Sequence, residues 1–492
     1  MFTTYLGGEM SEFFQSINAF FESILFFDIF FGAIEGVSFP FVVAWLIAGG
    51  IYLTIKMGFI NLRMLPHSLR IVRGKYRTKE DKGLITPFES LTTALSATVG
   101  IGNIAAVSIA ISLGGPGAAF WMIMAGFLGM TLKFTEVTLS QQYREFLPNG
   151  TIMGGGMEYL SRGLASKGWV RTGKVLAFIF AIFMVLGAIG AGNTFQVSQS
   201  LIVVQDQVPI FGDYPYLFGT LLATVTGLVI IGGITRIAHV AEVIVPFMVV
   251  FYIIMVLWVL GTYFSSIPAA FGLIFTEAFT PTAVAGGVFG AMIQGFQRAV
   301  FSNEAGLGSA GIAHAPAKVK YPIRQGLVSL YEPFVDTIIV CTMTALVVIL
   351  TGVYSGGTPE LQAIIEAKQG AALTSAAFGS VVSWFPSILG FAIFMFAFST
   401  MISWSYYGER AWVYIFGAKS SIIFKLIFLA FIIIATIVDT GTMVDFSSIL
   451  FLALAIPNIF GLLLLSGDVK RYLNEYLAKL KSGELDREAI RD

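Results

Sequence analysis

The chain has 492 residues, of which 56% are hydrophobic and 12% charged, with a mean hydropathy of +0.83. Soluble proteins carry about 25% charged residues, whereas here long apolar runs recur throughout, so the composition specifies a helical polytopic membrane protein and not a barrel of alternating ~10-residue strands. Zero formal net charge leaves no electrostatic footprint for nucleic acid, the single cysteine Cys341 excludes an internal disulfide framework or thiolate metal cluster, and His67, His239 and His314 lack the spacing of a zinc site or a triad.

The N-terminal "MFTTYLGGEMSEFF" lacks the basic region of a cleaved signal peptide. Residues 17–34 are apolar but carry Glu22 and Asp28, which fits an interfacial or short external helix within an external segment 1–39. The first span is expected near 40–58. Further apolar runs lie near 90–111, 117–140, 175–200, 215–233, 240–263, 283–301, 326–352, 380–405, 420–438 and 446–466, giving about eleven transmembrane helices in an all-α domain over 40–466. The longest loops, near 59–87 and 141–174, are too short for a catalytic domain, and 467–492 reads as a charged, helical tail.

Charge orients these spans. With the first running out-to-in, the loop 59–87 is cytoplasmic and carries Arg63, Arg70, Arg73, Lys75, Arg77, Lys79 and Lys82. Alternation then puts Arg162, Lys167, Arg236, Lys318, Lys320 and Arg410 inside, and only Lys368 in an outer loop. The N-terminus is expected outside and the C-terminus inside a plasma (inner) membrane.

The second span contains "ALSATVGIGNIAAV", residues 94–107, with Thr98, Gly100, Gly102 and Asn103 at mid-depth. Irregular backbone inside a bilayer is tolerated only where protein buries it or a cavity solvates it. Each flanking half is about ten residues, ~15 Å of helix, and together they suit a ~30 Å hydrocarbon core. A break here exposes carbonyl oxygens near Ala97–Thr98, suited to a small cation, and N–H groups near Asn103, suited to a carboxylate. That is the geometry of a cation-coupled carrier for an anionic or zwitterionic solute. "GIGNIA" also matches a dinucleotide-loop pattern, but neither the preceding strand nor the following ribose-binding acid is present. Close packing alone is the competing account of the glycines, weakened by the polar Thr98 and Asn103.

An inverted repeat requires a second interrupted helix. "GGVFGAMIQGFQRAVFSNEAGLGSAGIAHA", residues 286–315, supplies the candidate, with Gly290, Gln294, Gly295 and Gln297 in mid-run. The breaks, near 98–103 and 290–297, fall five spans apart, so one leading helix plus a five-plus-five inverted repeat (about 88–263 and 283–466) accounts for the count. Gln294 is expected to face the cavity. Arg298 and Glu304 are expected to form a structural or gating ion pair, and Lys133 and Glu136, at i,i+3, a local one. Glu332 and Asp336 are expected to bond to the "SNEAG" backbone or to act at an inner gate.

"TTALSATVGIGNIAAVSIAISLGGPGAAFWM" with "QRAVFSNEAGLGSAGIAHA" resembles the alanine or glycine:cation symporter family, and "GNTFQVSQS" and "FSTMISWSYYGERAW" fit it too. The resemblance spans roughly 40–465. It implies a sodium-coupled importer of alanine or glycine, similar in fold to the amino acid–polyamine–cation superfamily, working by alternating access without an organic cofactor. It further implies that Thr98, Gly102, Asn103, Gln196, Gln294, Thr400 and Trp404 bind substrate. Sodium would lie among Ala97, Gly100, Ser399, Thr400 and Ser403, oxygen ligands that suit a hard cation. A channel, a membrane enzyme and a proton-coupled carrier are the competing classes; the last would place a titratable carboxylate at the breaks, and "TVGIGN" has none. Membrane lipid is the other expected partner.

Overall fold

The structure is a computed structural model that describes residues 2–32, 38–148, 150–280 and 287–490. Among these, helix dominates, with one short antiparallel pairing, Glu145–Phe146 with Ile152–Met153. Helix α1 (Phe2–Leu25) docks on the outer bundle: Phe14 packs edge-on against Phe446 at 4.8 Å, and Asn18 Nδ2 donates to the Thr442 carbonyl at 3.3 Å. It starts earlier and ends sooner than the expected 17–34 helix. Past its end, the Asp28 carboxylate accepts from the N–H groups of Phe30, Gly32 and Phe39 and so organises a turn.

Helix α2 (Phe41–Lys56) is followed by the short amphipathic α3 (Leu65–Val72). Helix α4 (Pro87–Thr98) begins on a capping box: Thr86 Oγ1 accepts from Glu89 N at 3.1 Å, Glu89 Oε2 accepts from Thr86 N at 2.6 Å, and Pro87 occupies the first turn. It stops at Thr98, a single 3₁₀ turn follows at Ile101–Asn103, and α5 (Ala105–Gly114) resumes at a 57° bend. The break expected at 98–103 is therefore present.

Helices α6 (Gly117–Tyr143), α7 (Val170–Gln207), α8 (Pro215–Ile230) and α9 (Gly233–Thr262) follow. Helix α7 contains a π turn at Gly190–Thr194. There a Cβ on Gly192 would collide with Trp404, so glycine permits close approach of a neighbouring helix. Helix α10 (Gly287–Asn303) runs without interruption through 290–297, so the second break is not where the glycines of that stretch place it. A Cβ on Gly295 would meet the Ala118 carbonyl and Trp121, which makes this a packing glycine. The chain breaks instead after Asn303, with positive φ at Glu304 (58°), Gly306 (87°) and Gly308 (79°), and resumes as α11 (Ala310–His314).

The longer helices that follow are α12 (Pro322–Thr351), with a π segment at Phe334–Cys341, then α13 (Gly370–Gly379), α14 (Phe385–Phe416), α15 (Ser421–Ile434) and α16 (Thr440–Lys481). Among the described residues, six helices are long and apolar enough to cross a membrane, or seven with the bent pair as one span. The spans expected at 40–58, 215–233, 283–301 and 420–438 fall on the shorter helices α2, α8, α10 and α15, with 283–286 outside the described residues. Length and apolarity thus account for fewer than eleven. The tail folds back on the basic loop: Ile490 N donates to the Arg77 carbonyl at 2.8 Å, and Tyr321 Oη donates to Glu488 at 2.9 Å.

Candidate functional site

The first break carries a free carbonyl and a braced loop. Among the described residues nothing donates to the Ala97 carbonyl at the end of α4. Asn103 Oδ1 accepts from Gly100 N at 2.9 Å, and Gln196 Oε1 on α7 accepts from Ile101 N at 3.3 Å. Gln196 Nε2 is tied back to the Ala191 carbonyl at the π turn, at 2.9 Å. A Cβ on Gly100 would strike Thr400 Oγ1 on α14, so this glycine lets α14 approach the open backbone. Among the described residues Thr400 Oγ1 and Ser403 Oγ are buried with no hydrogen-bond partner, which leaves both oxygens free to take one.

The second break contributes charge. Glu304 is fully buried; its Oε1 accepts from Trp404 Nε1 at 2.8 Å and its Oε2 from Ser309 Oγ at 2.5 Å. Among the described residues no lysine, arginine or histidine pairs with it, because Lys133 pairs with Glu332 at 3.0 Å instead. Its two donors are neutral, and the buried Lys133 charge that acts on it is shared with Glu332 and Glu136, so the Glu304 charge is only partly compensated.

Several of these groups meet at one small cavity. It is lined by Ala97, Thr98, Gly100 and Gly102 of the first break, by Gln196, Glu304 and Thr400, and by the aromatic residues Phe301, Trp404 and Phe451. The cavity volume is about 10 Å³, room for one water-sized particle.

Comparisons over the whole chain identify its family. Residues 25–490 match the model of the sodium:alanine symporter family. The chain belongs to that family. A sodium/alanine symporter, AgcS, of Methanococcus maripaludis is 41% identical over 435 residues, covering 87% of this chain and 92% of that one. A probable sodium/glutamine symporter, GlnT, of Bacillus subtilis is 34% identical, covering 90% and 89%. Among solved structures, MhsT in complex with L-phenylalanine superposes with a TM-score of 0.50 at 15% identity, covering 78% of this chain and 98% of that one; the likeness is one of fold. This member of the sodium:alanine symporter family is accordingly a multi-pass, cation-coupled amino acid symporter and not an enzyme.

Of the residues singled out in this symporter's sequence, Ala97, Thr98, Gly100, Gly102, Gln196, Thr400 and Trp404 meet at the cavity. Asn103 lies behind it, its amide spent on Gly100 and on Asp336, to whose Oδ1 it donates at 2.6 Å. Gln294 lies outside the lining: its Cβ packs toward Gly114, and its Oε1 is buried without a partner. Ser399 Oγ donates to the Phe396 carbonyl and faces Met248 Sδ at 3.4 Å, while Ser403 is one residue from the wall but not in it.

Three expected pairings differ. Arg298 does not meet Glu304; its Nη1 donates to Ser448 Oγ at 2.9 Å, because α10 ends at Asn303 and the chain turns away at Glu304, whose φ is positive. Lys133 reaches across to Glu332 rather than along its helix to Glu136, which accepts from Asn458 Nδ2 at 2.9 Å. Glu332 also pairs with His314 at 2.6 Å, with no bond to the "SNEAG" backbone among the described residues, whereas Asp336 does reach that stretch, accepting from the Ser302 side chain at 2.9 Å. Sequence reasoning missed Glu304 as a lining residue and Asp336 as a partner of the first break. The signal for Glu304 was an acid followed by glycines at two and four residues, "EAGLG".

Proposed function

We propose that the chain imports alanine or glycine together with sodium by alternating access. The observation that carries the reading is the pairing of opposite polarities around one small cavity. Residues of the first break, Ala97, Thr98, Gly100 and Gly102, line it together with Glu304 of the second. A zwitterion is matched to both once the cavity opens beyond this closed, water-sized volume: its ammonium takes Glu304, and its carboxylate takes the backbone of the first break as Gly100 N and Ile101 N release Asn103 Oδ1 and Gln196 Oε1. Thr98, Gly102, Gln196, Thr400 and Trp404 line the substrate; Asn103 acts from behind by holding the break open.

Sodium is assigned to the Ala97 carbonyl, the backbone at Gly100, and the hydroxyls of Thr400 and Ser403. The two hydroxyls are supported as candidates by their unsatisfied buried oxygens. Ser399 has other partners and is a weaker candidate. Trp404 keeps the pocket small. Each added methylene brings only about 0.8 kcal/mol of burial, so selectivity for alanine and glycine comes from excluding larger side chains. Symport of a zwitterion with one sodium moves net charge, and 100 mV contributes about 2.3 kcal/mol per charge.

In this reading the transport domain spans 40–466, with eleven spans, repeats at about 88–263 and 283–466, the N-terminus outside and the tail 467–492 in the cytoplasm. Proton coupling is the second reading, favoured by the Glu304 carboxylate in the cavity wall. Uptake of labelled alanine into proteoliposomes separates the two. Accumulation under an inward sodium gradient, lost with choline and competed by glycine but not leucine, is the expected result. Accumulation driven by a proton gradient in the absence of sodium overturns the sodium assignment.

A further inference from the structure

The π segment Phe334–Cys341 of α12 touches both broken helices. Asp336 Oδ1 accepts from Asn103 Nδ2 of the first break at 2.6 Å. Its other oxygen, Oδ2, accepts from Ser302 Oγ beside the second break at 2.9 Å. The next residue repeats the pattern: Asn303 Nδ2 donates to Thr337 Oγ1 at 2.9 Å, and Thr337 Oγ1 donates to Asp336 Oδ2 at 2.7 Å. Cys341 Sγ lies 3.4 Å from Asn103 Nδ2 and 3.2 Å from Ser302 Oγ. All these side chains are buried.

The local fold explains the convergence. In an α-helix, residues five apart point about 140° away from each other, since each residue turns by ~100°. A π turn bonds i to i+5 and so stacks Asp336 and Cys341 on one side. The two breaks meet near this point: a Cβ on Gly102 would come within 3.3 Å of Ser302 Cα. Among the described residues, no hydrogen bond joins the Asn103 side chain directly to Ser302 or Asn303. The polar connection between them runs through the π segment.

We infer that Asp336, with Thr337, is the positioning element that couples the two breaks, so that a ligand ordering one break orders the other. Neither residue lines the cavity. Asp336 acts through Asn103, which shapes Gly100 and the first break, and through Ser302 and Asn303, which precede Glu304. Cation binding at the first break and ammonium binding at Glu304 then strengthen each other through one buried carboxylate. The inference rests on the coupled-carrier reading above for its ligands, but its geometry does not depend on which cation is used.

The test cuts only the second-break arm, leaving Asn103–Asp336 intact. Ser302→Ala removes one tie, and the near-isosteric Thr337→Val removes the other. In purified wild type, raising sodium from about 1 mM to about 100 mM is expected to tighten alanine binding about tenfold, within the usual range of coupling between sites. In Ser302→Ala the gain falls to about threefold, and in the double variant to near none, while affinity at low sodium stays within about twofold of wild type. A purely structural role would lower both affinities together and leave the ratio unchanged. A double variant that melts cooperatively and keeps the tenfold gain overturns the inference; if it does not fold, the unchanged ratio in Ser302→Ala does so. Hydrogen exchange of peptides covering 94–107 and 300–310 separates this inference from the sodium reading. In wild type, ethylamine, which carries alanine's ammonium for Glu304 but no carboxylate for the first break, slows exchange in both peptides; in the variants it slows only 300–310. That pattern upholds the coupling even where sodium has no effect and the cation assignment falls. Equal slowing of both peptides in the variants overturns the coupling.

Discussion

The two breaks interrupt the bundle in different ways, although each has an asparagine at its turn. At the first, Asn103 Oδ1 reaches back three residues to Gly100 N, and the exposed groups are neutral: a free carbonyl and a braced loop. At the second, Asn303 Oδ1 reaches forward two residues to Ala305 N at 2.9 Å, and the next residue is a carboxylate held at a positive φ of 58°. Such a backbone conformation is unfavourable for a residue with a Cβ and persists only where the surroundings impose it. One break thus offers backbone dipoles, and the other a formal charge. A zwitterion travelling with a cation needs both kinds of partner, one at each end. Two identical breaks would favour a ligand of one polarity.

The largest expected effect tests whether the charge at the second break is what the substrate reads. Glu304→Gln keeps shape and the bond from Trp404 but removes the charge. Leaving a buried ammonium without its partner costs about 3–5 kcal/mol, so the KM for alanine should rise by at least a hundredfold. Initial uptake rates across alanine concentrations check this. An unchanged KM would erase the contrast between the breaks, leaving Glu304 a structural group.

Asn103→Ala tests the neutral break and should cost less. It removes an acceptor for Gly100 N and a donor to Asp336, a loss of about 1–3 kcal/mol. Because Gly100 N also donates to the Thr98 carbonyl at 2.9 Å, the turn is loosened rather than lost. Uptake should weaken about tenfold and the melting temperature of the purified protein should fall, with membrane insertion intact. Normal transport by this variant would show that Asn103 neither binds substrate nor shapes the break.

The same contrast explains what could be read from the sequence. The first break was legible because Thr98, Gly100, Gly102 and Asn103 interrupt an apolar run, and no packing demand explains a polar amide there. The second was displaced by about ten residues because glycine has two uses in a bundle. Gly295 lets α10 touch α6, while Gly306 and Gly308 supply positive φ; composition does not distinguish them. Thr400 and Trp404, four apart, were legible as one helical face, and both line the cavity. Gln294, equally polar and equally central in its run, is not among the lining residues and packs by its Cβ toward Gly114. The partners of Lys133, Arg298 and Asp336 were illegible for a different reason. Each bond crosses between helices far apart in sequence, and neighbour rules along one helix reach only the local acid.

The smallest effect sharpens the comparison most, because Trp404 touches the charge of one break and walls the cavity of both. Its Nε1 donates to Glu304 Oε1, while its ring packs 5.2 Å from Phe451 and 5.1 Å from Tyr407. Two substitutions separate these roles. Trp404→Phe retains an aromatic wall but removes the donor, a hydrogen bond to a charged group worth about 1.5–3 kcal/mol when formed. Glu304 is then left with Ser309 as its one donor, which makes its charge costlier in the empty site but better matched by an incoming ammonium. These changes oppose each other, so alanine affinity should move by less than about tenfold, with leucine still excluded. Trp404→Ala removes the wall as well, and should admit larger side chains while lowering stability by about 3–5 kcal/mol. Competition of labelled alanine uptake by leucine and phenylalanine reads the difference. If Phe already admits leucine, the size limit is set by how Glu304 pins the indole and not by ring bulk, and charge and selectivity become one property of the second break.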